Sequence, residues 1–210
     1  MHNIILLSSF HKGNSDELYE IIEKIQPEII FEELSHNVFT IIYAAGFVPE
    51  SSEAFTIKKY LEKYPIKHFP VDTYPVNEAD LFNGADIIWN NSIEYGKLWN
   101  ELLLMIKQNG YYFLNSNNCI ELLDKIKTIE EKVLLTINDV KLSREYKSEI
   151  DLNNNRENEM LQNIYDYSKQ YQYTKAMFIC GVKHKKSIIQ KITELEKTLE
   201  FKLNWTFYNN

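Results

Sequence analysis

The chain has 210 residues, 44% hydrophobic and 25% charged, with a net charge of −7 at pH 7. That length carries one large domain, or one domain with an inserted subdomain, and the acidic balance argues against a general nucleic-acid binder, which needs a basic surface. The opening residues MHNIILLSSF have no basic segment and too short an apolar run for a signal peptide or membrane span, so the expectation is a cytoplasmic protein without a membrane partner.

In chain order, Asn3 to Ser8 (NIILLS) is a short continuous apolar run, the mark of a strand covered on both faces. Asn14 to Ile25 follows as an amphipathic helix, with Asn14 or Ser15 as its cap and Asp16 and Glu17 suiting its positive end. Pro27 stops it, and Glu28 to Glu33 (EIIFEE) reads as a second strand, completing a βαβ unit. Ile66 to Val71 (IKHFPV) is a weaker third strand, because Pro70 restricts it to an edge or an end. From Asn77 to about Asn155 no strand is read. Ile87 to Lys107 and Ile120 to Asn138 carry apolar residues at helical spacing, while 151–158 (DLNNNREN) reads as a polar loop leading into a helix from Glu157 to Lys169. Lys175 to Cys180 (KAMFIC) is a fourth buried run and Phe201 to Phe207 a final strand. Cys180 lies inside its run and Cys119 far from it, so no disulfide framework is expected. The expected fold is one α/β domain over 1–210, with a mostly parallel sheet built from both ends of the chain. Helices flank the sheet, and an all-helical insertion or cap spans about 77–155.

Parallel sheets bind ligands outside the carboxyl ends of their strands. The first strand ends on Ser8, Ser9 and His11, the second on Glu32 and Glu33, the third on Asp72, and the fourth on Gly181 and His184. Two histidines and at least two carboxylates therefore stand where a site would be. Alternation lets only one of Glu32 and Glu33 share a given face, and Asp72 also suits a turn in VDTYP. His36 and His68 fall outside this pattern and read as structural or solvated. Arg156 opens the expected helix, where the macrodipole disfavours a cation, so it is expected to reach into the site or to pair with Glu157 or Glu159. Gly181 is expected to end its strand where a side chain would crowd the cleft. His184, at a positive helix end, is expected to be neutral and to cost under about 1.5 kcal/mol when truncated.

Four pieces of sequence, SSFHKGN (His11), PEIIFEEL (Glu33), RENEM (Arg156, Met160) and GVKH (Gly181, His184), resemble in order and spacing the motifs of the TraB/Tiki/ChaN-like superfamily. That superfamily also takes in the erythromycin-esterase-like proteins. Its pattern is GxxH, a P-D-hydrophobic-E-L strand, an arginine and a second GxxH. Aligning Pro27 with the family's proline selects Glu33 over Glu32, and Ser8 stands where the family usually has Gly. The resemblance covers roughly 3–45 and 150–207. It implies a hydrolase, metal-dependent as in the Tiki-like metalloproteases or esterase-like, while other relatives bind haem.

Chemically, His11, Glu33 and His184 suffice to hold a divalent metal (Zn, Mn or Co) with open positions, whose bound water would attack a small-molecule or peptide substrate at an ester or amide. In the metal-free version His11 or Glu33 is the general base, and Arg156 with His184 holds the oxyanion. The alternative is a non-catalytic cleft for a small ligand or haem, with Tyr19, Tyr43 and Tyr74 as candidate pocket aromatics.

Overall fold

Each of the five expected strands forms, all in one parallel sheet: β1 (Asn3–Ser9), β2 (Ile29–Ser35), β3 (Lys67–Asp72), β4 (Lys175–Gly181) and β5 (Asn204–Phe207), in the spatial order β3-β2-β4-β1-β5. The structure, a computed structural model, describes residues 2–73 and 82–208. Tyr74 and the beginning of the expected insertion at 77–81 lie outside the described residues. Pro70 is tolerated because β3 is an edge strand.

Alternation along the central strands sends side chains into two cores. Leu7, Ile30, Met177 and Ile179 face one layer, built by α1 (Ser15–Ile25), α3 (Ser52–Lys63), α4 (Ala85–Asn91), α5 (Ile93–Leu114) and α6 (Asn117–Ile137). Ile4, Leu6, Phe31 and Phe178 face the other, built by the C-terminal half of α7 (Val140–Gln170) and by α8 (Lys185–Thr198). A short helix, α2 (His36–Ile42), follows β2, and Ser35 caps it. Asn14 caps α1, its side chain accepting from the N–H groups of Asp16 and Glu17.

The helices between β3 and β4 are part of this core. Leu102, Ile106, Leu122 and Val133 are buried in the cluster that holds Leu7 and Met177. Asn115, between α5 and α6, clamps β1 directly: its Oδ1 accepts from Ser8 N–H at 2.9 Å and its Nδ2 donates to Ser8 C=O at 3.1 Å. The single helix expected over Ile87 to Lys107 divides at Ser92, whose side chain caps α5 by accepting from Tyr95 N–H.

The expected loop at 151–158 is helical, being the middle of the 31-residue α7. Asparagine's low helix propensity costs only about 0.7 kcal/mol per residue, and tertiary ties outweigh it here. Asn153 accepts from Arg156, and Asn154 and Asn158 accept from Lys191 of α8. Arg156 thus lies inside a helix rather than at its start, and the dipole argument for its position does not apply.

Topology explains where a site can form. Adjacent strands β1 and β4 pair up to Ser9 and Gly181. From β1 the chain leaves through α1 on one face towards β2, and from β4 it leaves through α8 on the other face towards β5. Connections diverging from neighbouring parallel strands open a crevice at their carboxyl ends.

Candidate active site

Glu33, at the end of β2, is the hub. Its Oε1 lies 3.0 Å from Arg156 Nη2 and 3.2 Å from His184 Nε2, and its Oε2 accepts the Gly181 N–H at 2.7 Å. Arg156 reaches across from α7 and also grips Asp72 at the end of β3, with Nη2 at 2.7 Å and Nε at 3.2 Å from Oδ2. Its Nη1 donates to Asn153 at 2.9 Å. His184 closes the cluster through Nδ1, 2.7 Å from Glu157 Oε1, and Glu157 also accepts the Ser187 hydroxyl.

Three carboxylates and two cations therefore meet in a largely buried network, and their ionisation follows. Burial alone would raise the Glu33 carboxyl, but His184, the Gly181 N–H and Arg156 together hold it down at about 2. Burial would likewise discharge His184, but hydrogen bonds and charge from Glu157 and Glu33 raise it to about 9. His184 is an imidazolium, with a carboxylate at each ring nitrogen. The expectation of a neutral residue does not hold beside these two carboxylates, and its burial (8% exposed) argues for a larger cost of truncation than expected.

His11 stands apart in character. Its side chain is 82% exposed, with Nδ1 3.4 Å from Glu53 Oε1. The hydrogen bond to Glu53 raises its pKa from the ordinary value, against some desolvation. Glu53, in the first turn of α3, also accepts the Ser9 hydroxyl at 2.8 Å, and its Oε2 is buried with no hydrogen-bond partner among the described residues. His11, Glu33, Glu53, Ser9 and Gly181 line one small pocket of about 40 Å³. A second, larger cavity of about 490 Å³ opens on the other side of His184, between α5, α6, α7 and the start of α8, with Glu157 in its wall.

The structure thus brings Glu33, Asp72, Arg156, Gly181 and His184 into direct contact and places His11 on the same pocket as Glu33. Glu32 also lines the small pocket but makes no hydrogen bond to the Glu33–Arg156–His184 cluster among the described residues. It turns to the opposite face, where its carboxylate accepts from the Tyr43 hydroxyl at 2.5 Å and meets His68 Nδ1 at 2.7 Å. His68 is accordingly a satisfied structural histidine. Gly181 has an ordinary φ of −58°, and a Cβ there would meet Glu33 Oε2 at 3.4 Å, a normal contact. Its contribution is the N–H given to Glu33 rather than the absence of a side chain. Tyr19 packs on Tyr60 and lines neither cavity. Glu53 and Glu157 are the residues that strand-end reasoning missed, because both sit on helices. Glu157 was visible beside Arg156 as a compensating charge, whereas nothing local marks Glu53.

As arranged, these donors do not fit a metal. Glu33 Oε1 is already flanked by two cations, the nearer histidine is protonated, and the Nδ1 of His11 is turned to Glu53. Among the described residues no group of three or more His, Cys, Asp or Glu is disposed to hold an ion. No helix among them is long and apolar enough to cross a membrane. Compared with protein-family models, with curated proteins and with solved structures, the chain matches none.

Proposed function

We propose that the chain is a hydrolase of an ester or amide bond, with its water held in the small pocket at the ends of β1, β2 and β4. The observation that carries this reading is the pairing of one fixed and one free histidine. His184 is locked as a cation between two carboxylates, while His11 is exposed, oriented through Nδ1 by Glu53, and has no hydrogen-bond partner at Nε2 among the described residues. A carboxylate that orients an imidazole through one nitrogen leaves the other to exchange protons.

A pocket of about 40 Å³ has room for a water, which needs only ~10–15 Å³ by the same measure. Glu33, ionised throughout the neutral range, accepts one hydrogen bond from that water and orients it. His11 takes the other proton as the oxygen attacks the carbonyl carbon. The tetrahedral intermediate then collapses, and the His11 imidazolium returns the proton to the departing alcohol or amine, leaving a carboxylic acid. With a pKa near 2 Glu33 is too weak a base for the proton transfer itself, whereas the hydrogen bond to Glu53 makes the His11 imidazole more basic than an ordinary one. Arg156 and His184, their nitrogens committed to protein acceptors, keep Glu33 charged and aimed.

A metal-dependent form, with Zn, Mn or Co on His11, Glu33 and His184, requires His184 to lose its proton and Arg156 to leave Glu33 Oε1. The test is turnover of p-nitrophenyl acetate and of a peptide library by protein purified without chelator, with metal content measured on the same sample. The reading expects turnover that falls ~10²-fold or more in His11→Gln, the usual contribution of a general base. Equal turnover in His11→Gln defeats it, and loss of turnover with a stripped metal favours the metal-dependent form. The second reading, a cleft that holds a small ligand or haem without turnover, is favoured by the full engagement of Arg156 and His184 with protein groups. A Soret band on addition of haem, with no hydrolysis, decides for it.

A further inference from the structure

At about 40 Å³ the small pocket is far below the roughly 300–1,000 Å³ of small-molecule sites, so it holds water but no substrate body. The body must lie on the surface that borders the pocket. Leu34 on one side and Ser51 and Ala54 on the other line it, and the chain between them, HNVFTIIYAAGFVPE (36–50), forms α2 and the loop to α3. This stretch has no lysine or arginine, and its one acid is Glu50. The helix within it, α2, buries none of its side chains. Val38, Ile41, Phe47 and Val48, with Phe55 just beyond Ala54, are between 39% and 71% exposed.

Single exposed apolar side chains are ordinary, whereas a group of them on one surface marks a binding site. Two ties gather these residues beside His11. Lys58 stands one turn after Phe55 on α3 and donates to the carbonyls of Ile42, Ala44 and Phe47 at 3.1, 3.1 and 2.7 Å. The loop is thereby folded against the helix face that Phe55 shares. Ser52, in the first turn of α3, gives both its N–H and its hydroxyl to the His11 carbonyl, each at 3.1 Å. The general base of the hydrolytic reading and the apolar surface therefore meet at the start of α3.

Resting on the hydrolytic reading, we infer that this rim is an acyl-chain site and that the substrate is an ester or amide of a medium- or long-chain fatty acid. The carbonyl meets the water and His11, and the chain runs out across Phe47, Val48 and Phe55 towards α2. Covering the chain and these side chains together takes apolar surface from water. The gain is the same in ground and transition states, so it lowers KM and leaves kcat unchanged.

The test is kcat/KM of the full chain for p-nitrophenyl acetate, butanoate and octanoate, each below its micellar concentration. Octanoate is expected to exceed acetate at least ~10-fold, through a lower KM. Val48→Gln with Phe55→Gln, two exposed positions, is expected to bring that ratio to within ~3-fold of unity. Isothermal titration with decan-1-ol reads the same surface without turnover, and binding should weaken at least ~10-fold in the double variant. If no ester is turned over but decanol follows that pattern, the hydrolytic reading fails and the apolar-chain site stands. A flat chain-length profile in an active protein, or decanol binding that is absent or indifferent to both substitutions, overturns the inference. So does a dimer in sedimentation equilibrium that the double variant dissociates, because the surface then belongs to a second copy of the chain.

Discussion

Replacing His184 with Ala removes the cation between Glu33 and Glu157, and the structure sets both the size and the pH dependence of the loss. The imidazolium pKa is raised from 6.5 to about 9, and at ~1.4 kcal/mol per unit that shift corresponds to about 3 kcal/mol of folding stability. Breaking a buried pair by deleting one partner costs a similar ~3–5 kcal/mol. The group is largely buried, so solvent screening takes little from this figure. A folded-state pKa above the unfolded one stabilises fully below pH 6.5 and loses that contribution as pH rises through about 9. Parent and His184→Ala should therefore differ by about 3 kcal/mol at pH 6 and by much less at pH 10, where only packing separates them. Urea unfolding at both pH values, followed by circular dichroism, measures the two differences. An equal difference at the two pH values, or one below about 1 kcal/mol at pH 6, would refute the charged, doubly paired histidine.

Arg156→Lys keeps the charge but cannot span Glu33, Asp72 and Asn153 at once; chemical denaturation should show a loss of ~1.5–3 kcal/mol, the worth of a hydrogen bond to a charged group. Asn115→Leu strands the Ser8 N–H and C=O in the interior, and the cost of ~1–3 kcal/mol per orphaned group should appear as a lowered melting temperature. Gly110 has φ +50°, and a Cβ there would fall 1.9 Å from the Glu17 carboxylate that accepts the Tyr111 N–H. Gly110→Ala should therefore cost at least ~1–3 kcal/mol of backbone strain, and a variant as stable as the parent in urea would count against this turn.

The inner strands β1, β2 and β4 were legible as short apolar runs, because parallel strands covered on both faces have no other pattern to show, whereas β5 showed through its alternation of apolar and polar residues. Placing a site at their carboxyl ends needed only that alternation and the topology. What escaped the sequence depends on tertiary contact. Residues 151–158 look like a loop in isolation, yet Lys191 of α8 ties Asn154 and Asn158 into helix. The segment after β2 offers serines that cap α2 and α3 at Ser35 and Ser51, but apolar periodicity there is weak because α2 buries none of its side chains. The charge state of His184 was misread for the same reason. A helix end argues for a neutral ring, but two carboxylates in contact outweigh a dipole worth ~0.3–1 kcal/mol, and one of them, Glu157, comes from another helix.

The central claim is a division of roles: His184 stays charged and fixed while His11 titrates. Histidine ring proton shifts followed by NMR from pH 5 to pH 10 test it directly, with each signal assigned by its loss in His11→Gln or His184→Gln. The account predicts a midpoint near 9 for His184, and for His11 a midpoint above 6.5 that falls when Glu53 is replaced by Gln. A His184 midpoint at or below 6.5, or a His11 midpoint indifferent to Glu53, would contradict it.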